Sequence, residues 1–175
     1  MDGKLKNIKT CKASLVTMTE LILPNDTNTL NNLMGGRLMH WMDIAAAVSA
    51  QRHANKIVVT ASVDNISFSK PINLGNVITI EAFVVRAFNT SMEVYIKVIA
   101  EDIPNFKKID THTAFFTFVA VDQNGQPVGV PEVVPQSKFE RDLYNGALRR
   151  RQLRLILAKR MSPDDATELK SLFVH

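Results

Sequence analysis

The stretch Arg37 to Asn55, RLMHWMDIAAAVSAQRHAN, contains no glycine or proline, and after Lys56 comes strand-like IVVT. It is rich in Ala, Leu and Met, so it predicts one long helix that hands over to a strand. What surrounds it constrains the fold most. A first strand-like run, Leu15 to Leu23, is stopped by Pro24-Asn25-Asp26. Four more runs follow the helix: Ile57 to Phe68, Val77 to Phe88, Met92 to Ala100 and Thr111 to Val121. Turn chemistry separates them, as in Leu74-Gly75-Asn76 and Asp122-Gln123-Asn124-Gly125. No crossover helix fits between them, and Asn89-Thr90-Ser91 is short enough to close an antiparallel hairpin. Met92, Val94, Ile96 and Val98 alternate with Glu93, Tyr95 and Lys97, so one face is apolar and the other polar. One helix with an apolar face covers one face of such a five-stranded sheet, an α+β arrangement. Its open edges call for a second copy.

The chain has 175 residues, room for one domain and an extension. Residues 1–13 read as a flexible lead-in, 14–125 as the domain and 126–175 as a connector with a basic helical extension. Pro127, Pro131 and Pro135 mark the connector. Residues 136–160 hold eight Lys or Arg against two acids. Ser162-Pro163 is a helix-start pattern, and Asn31 or Asn32 is placed to cap the central helix. The net charge of +4 does not call for nucleic acid, and the one cysteine, Cys11, excludes a disulfide framework or a Cys-rich zinc module. The N-terminal residues lack the apolar core of a secretory signal, and no apolar run has the length of a membrane span. A cytoplasmic location is the expectation.

Asp43 is the one carboxylate between Arg37 and Arg52. Gly36, Met39, His40, Ala46, Ala47 and Ala50 share its helix face. If that face meets the sheet, the acid is partly desolvated, its pKa rises, and it is suited to be a general base or nucleophile. An ordinary surface acid fits the same pattern. Gly35-Gly36 opens the helix, where unpaired N–H groups can hold an oxyanion; a tight turn fits equally. Asp43 lies about 10 Å further along the axis at 1.5 Å per residue, a long reach for one reacting atom, so a second chain has a part to supply. The nucleophile elbow, the P-loop, the dinucleotide fingerprint and the HExxH motif are all missing, and the four histidines lack metal-ligand spacing.

Three segments, DTNTLNNLMGGRLMHWMD, RHANKIVVTASVDNISFSKPINLGNVI and RAFNTSMEVYIKVIAED, together resemble the acyl-CoA thioesterases of the hot-dog fold. The resemblance covers residues 14–122 and points to the subgroup of cytosolic acyl-CoA and acetyl-CoA hydrolases. It implies a long helix wrapped by a curved antiparallel sheet, and paired units with active sites at their interface. A homodimer is then the minimum, and a trimer of dimers, a hexamer, is common in the family. It implies hydrolysis of acyl-CoA to free acid and CoA, with no metal or organic cofactor. Matched residue by residue, Asn32 takes the place of the catalytic amide or acid before Gly-Gly, Asp43 the helix acid, and the Gly36 N–H the clamp on the thioester carbonyl. The Arg86 to Ser91 segment matches the hairpin lining the CoA channel, which marks Arg86, Asn89, Thr90 and Ser91. An amide cannot be the base, so Asn32 positions and Asp43 acts. Lys70, Arg86 and the cluster Arg149, Arg150, Arg151 and Arg154 are cationic candidates for the CoA phosphates, although the cluster also reads as a solvated face or an oligomer contact. Met39, Trp41, Met42 and Phe68 line an acyl tunnel or simply fill the core. Two alternatives stay open. One is a non-catalytic acyl-CoA-binding module; the other is a hot-dog hydratase or dehydratase using His40, three residues before Asp43.

Overall fold

The computed structural model describes residues 7–64, 66 and 70–172. Phe68, His175 and the end of the run expected to reach Phe68 lie outside them. The chain divides into two compact units, Met1–Val134 and Pro135–His175.

In the first unit the strands are β1 (Ile8–Thr10), β2 (Val16–Leu21), β3 (Ile57–Asp64), β4 (Val77–Ala87), β5 (Ser91–Asp102), β6 (Lys107–Val121) and β7 (Glu132–Val134). Helix α1 spans Gly35–Ala54. The main sheet has the order β2-β4-β5-β6-β3, with antiparallel pairing throughout. This is the α+β arrangement expected from the sequence, a single helix with five antiparallel strands, and β2 and β3 are its two edges.

Helix α1 touches all five strands. Leu38, Met42, Ala45, Ala46, Ser49, Ala50 and His53 recur at helical spacing and are buried. Most are small, so the helix backbone can lie close to the sheet. Against them lie Ile78, Ile80, Ala82 and Val84 of β4, Val94, Ile96 and Val98 of β5, and Phe116 and Phe118 of β6, all essentially inaccessible. Each large side chain removed from water contributes about 1.5–3 kcal/mol toward folding. Trp41 and Met42, candidates for a tunnel, belong to this core, whereas Met39 is exposed.

The structure departs from the sequence reading in four places. The opposite face of β5 is not open to water: Glu93 is fully buried and Tyr95 nearly so. Tyr95 stands in a cross-strand aromatic row, 5.5 Å from both Phe83 and Phe115. Second, β5 and β6 run beyond their apolar alternation: Glu101 faces Lys108 and Asp102 faces Lys107 across the ladder. Third, segments read as lead-in and connector supply β1 and β7, a two-stranded parallel sheet. Fourth, α1 has no side-chain cap. Met34 is its N-cap, while Asn28 Oδ1 accepts the N–H groups of Leu30 and Asn32 within the preceding loop.

In the second unit, α2 (Lys138–Leu157) opens with a reciprocal cap. Ser137 Oγ accepts the Glu140 N–H, and the Glu140 carboxylate accepts the Ser137 N–H. Ser162 Oγ accepts the N–H of Asp164 at the start of a single 3₁₀ turn, as the Ser-Pro pattern predicts. A four-residue helix, α3 (Thr167–Lys170), is tied to α2 by Gln152, whose side chain accepts the Leu169 N–H. Arg149, Arg150, Arg151 and Arg154 are all half-buried, which does not fit a fully solvated helix face.

Candidate active site

The loop before α1 is fixed from beneath by Asp26. Its carboxylate accepts the Leu23 N–H at 3.0 Å and the Arg37 Nε–H at 2.7 Å. The backbone bond and the guanidinium hold its pKa below the usual carboxylate range, against the opposing effect of burial. The Asp26 carbonyl takes the Met34 N–H, and Arg37 stacks over the Trp41 ring at 5.2 Å. Asn31 turns the loop through a left-handed conformation, φ 57°. The two glycines are thus delivered to the helix start by ties on both sides.

At that start the Met34 carbonyl accepts from Arg37 and Leu38. The N–H groups of Gly35 and Gly36 have no acceptor within the helix. A Cβ placed on Gly36 would meet nothing within 4 Å. Free donors, the positive end of the helix dipole and open space therefore coincide, and a developing oxyanion suits all three.

Asp43 lies half-buried two turns along, and its Oδ1 accepts a hydrogen bond from Thr60 Oγ1 at 2.9 Å. Thr60 belongs to edge strand β3, where the register shifts between Thr60 and Ser62. Such a bulge re-aims side chains and is common beside active sites. Around the pair, Ile44 and Val48 on the helix and Ile57, Val59 and Val63 on the strand are exposed. The acid therefore sits in an apolar strip along an unpaired sheet edge. Its hydrogen-bond partner is Thr60 and not His40, which is exposed.

The remaining candidates fall in three places. Asn32 is half-buried in the loop, bridged to Asn73, and its backbone exchanges hydrogen bonds with Asn28. Lys70 reaches the helix start: it lines a cleft of about 400 Å³ with Gly35, Leu38, Ile72 and buried His112. Burial lowers the His112 pKa. Arg86, Asn89, Thr90 and Ser91 lie at the far β4–β5 hairpin, with Arg86 over the Phe88 ring at 5.8 Å. There the carbonyls of Asn89, Thr90 and Ser91 accept from Val130, Ala120 and Phe88, so this hairpin is rigidly held. Of the cationic candidates, Lys70 alone lines the cleft at the helix start, and Arg86 belongs to the far hairpin. Thr60 escaped the sequence reading because a hydroxyl in a β-branched run carries no signal, and the bulge that aims it is visible only in the strand register.

Residues 30–106 match the family described as the thioesterase superfamily. The uncharacterized acyl-CoA thioester hydrolase YkhA of Bacillus subtilis is 44% identical over 140 residues, 80% of this chain and 81% of that one. An apo-hexameric acyl-CoA thioesterase superposes with a TM-score of 0.85 at 38% identity, covering 87% of this chain and 97% of its own. An acyl-CoA hydrolase from Staphylococcus aureus, solved with butyryl-CoA, CoA and CoA disulfide, gives a TM-score of 0.81 at 36% identity over 87% and 94% of the two chains. That hydrolase has also been solved as Asp43Ala, Asn28Ala and Thr60Ala variants. Aspartate, asparagine and threonine stand at the same three numbers in the present chain. Fold, loop–helix junction and these likenesses together make the chain a member of the thioesterase superfamily.

Proposed function

We propose that the chain hydrolyses acyl-CoA thioesters to free acid and CoA. The observation that carries this reading is the Asp43–Thr60 pair on an exposed apolar edge, beside a helix that begins with open glycine N–H groups. The Thr60 hydroxyl orients the carboxylate. Asp43 takes a proton from water as its oxygen bonds to the thioester carbon. The carbonyl oxygen becomes an oxyanion, held by helix-start amides at Gly36. The C–S bond then breaks, and the thiolate leaves to be protonated as CoA. The alternative is attack by Asp43 itself, giving an anhydride that water opens. In that case a single turnover in labelled water places the label in Asp43, whereas attack by water places it in the acid product.

Gly36 and Asp43 of one chain are about 10 Å apart along α1, too far to share one carbonyl. The reading therefore places the site between two copies joined along β3, with Gly36 of the partner subunit facing Asp43. Asn32, or Asn28 in the same loop, then orients water or substrate. The hexameric relative is in keeping with such an assembly, and so is a cytoplasmic location with one cytosolic relative from rat. No helix of the described residues is long and apolar enough to cross a membrane. No metal or organic cofactor is part of this mechanism.

A thiol-release assay over acyl-CoAs of graded length tests the reading. Release of CoA with saturation kinetics is the expected result. Binding of acyl-CoA without turnover would instead establish a ligand-binding module.

A further inference from the structure

The cleft at the start of α1 is small and chemically mixed. Its volume of about 400 Å³ lies near the lower end of ordinary ligand pockets. Buried Leu38 and Ile72 form an aliphatic wall, and Gly35 of the helix start lines it too. The Ile72 carbonyl accepts the Leu33 N–H at 2.7 Å, which fixes that wall to the loop before the helix. Two side chains of another kind join them, Lys70 and His112. His112 pairs with Val98 across the β5–β6 ladder, so it shares the face that α1 covers. The register shifts just beside this pair, where the Thr111 hydroxyl donates to the Val98 carbonyl at 3.0 Å. That bulge sets the aim of the imidazole.

Among the described residues no carboxylate lines this cleft. The Lys70 ammonium donates one long bond, 3.4 Å, to the Asp110 carbonyl. The Asp110 carboxylate itself is paired with Lys97 at 2.9 Å, and Asp26 before the helix is held by Arg37. The cleft is therefore cationic at neutral pH. Its imidazole, which burial keeps neutral, can donate or accept. The cleft ends on buried Leu38, Ile72 and His112, so it has no room for pantetheine and a nucleotide. The acyl group is the part of a thioester substrate that it fits. A plain alkyl chain laid there would take water from the ammonium and the imidazole and return no hydrogen bond. A short chain ending in a carboxylate covers the same aliphatic wall and offers each of them an acceptor.

We propose that this cleft selects short acyl groups that end in a carboxylate, with Lys70 as the residue that reads the terminal charge. This rests on the thioesterase reading and names a substrate class for it. The test compares glutaryl-CoA with valeryl-CoA, which have the same five-carbon chain with and without the terminal carboxylate. CoA is common to both, so the ratio of their kcat/KM values reports the acyl end alone. The wild-type chain is expected to favour glutaryl-CoA about tenfold, the scale of one charge-assisted hydrogen bond. Lys70→Met should bring the ratio close to one, and Lys70→Arg should keep it. A wild-type ratio at or below one overturns the proposal, as does turnover of other acyl-CoAs but of neither of these. An unchanged ratio in Lys70→Met also overturns it, because a loss shared by both substrates places Lys70 on the CoA end. The thioesterase reading fails separately, when the wild-type chain releases thiol from no acyl-CoA at all. Lys70 is exposed, so neither variant threatens the fold.

Discussion

The two ends of helix α1 are finished in opposite ways. The C-terminal end is closed. Lys9 caps its carbonyls, Asn55 terminates it in a left-handed turn, and buried His53 bonds the Pro131 carbonyl at 2.9 Å. The N-terminal end is open, with Met34 at the capping position making no side-chain bond, glycines at the first two helical positions and free space above Gly36. A side-chain cap would stabilise a helix by about 1 kcal/mol. The bare end is the one at which the proposed mechanism needs free donors.

The sharpest way to break this contrast is to alter the acid serving the open end. Asp43→Ala should lower kcat by about a hundredfold or more, with Tm unchanged. A fall in Tm with intact turnover would make Asp43 a structural residue. Thr60→Val keeps the shape and removes the orienting hydroxyl; kcat should drop about tenfold, with KM for acyl-CoA held, since the acid remains. At the closed end the pattern should invert. Lys9→Met removes two hydrogen bonds to helix carbonyls and should cost about 1–2 kcal/mol of stability, read as a lower denaturation midpoint, while kcat stays put. The smallest effect is on acid stability. Burial, the dominant influence, lowers the His53 pKa below its ordinary 6.5. The folded chain therefore holds this imidazole neutral, and the unfolded chain takes up the proton first as pH falls. Its contribution is complete above pH 6.5 and shrinks as pH drops through that value. Melting at pH 7.5 and 5.5 should show a decrease that His53→Gln diminishes.

Much of this was legible because it depends on local rules. The helix core of α1 follows from Ala, Leu and Met at helical spacing, and the five strands of the main sheet follow from apolar and β-branched runs between turn residues. Asp43 stood out as a lone carboxylate among apolar neighbours. What the sequence hid was non-local. The Thr60 contact spans seventeen residues and depends on a bulge. The Asp26–Arg37 tie that positions the glycines looks, in sequence, like two unrelated surface charges. Asn31 and Asn32 had good capping chemistry, yet neither caps α1, and Asn28 accepts two backbone N–H groups inside the loop. Ile8–Thr10 and Glu132–Val134 are too short and too distant to announce each other.

That last pairing has a kinetic consequence. Ile8 meets Glu132 across about 120 residues of chain, so closing the loop carries a large entropy cost for a few backbone bonds. Such a clasp assembles after the main sheet and is the first element to come undone. Asn7, Pro131 and Glu132 flank it and also wall a cleft with Phe88 and Asn89. Amide exchange in β1 and β7 should therefore outpace that of β4 and β5.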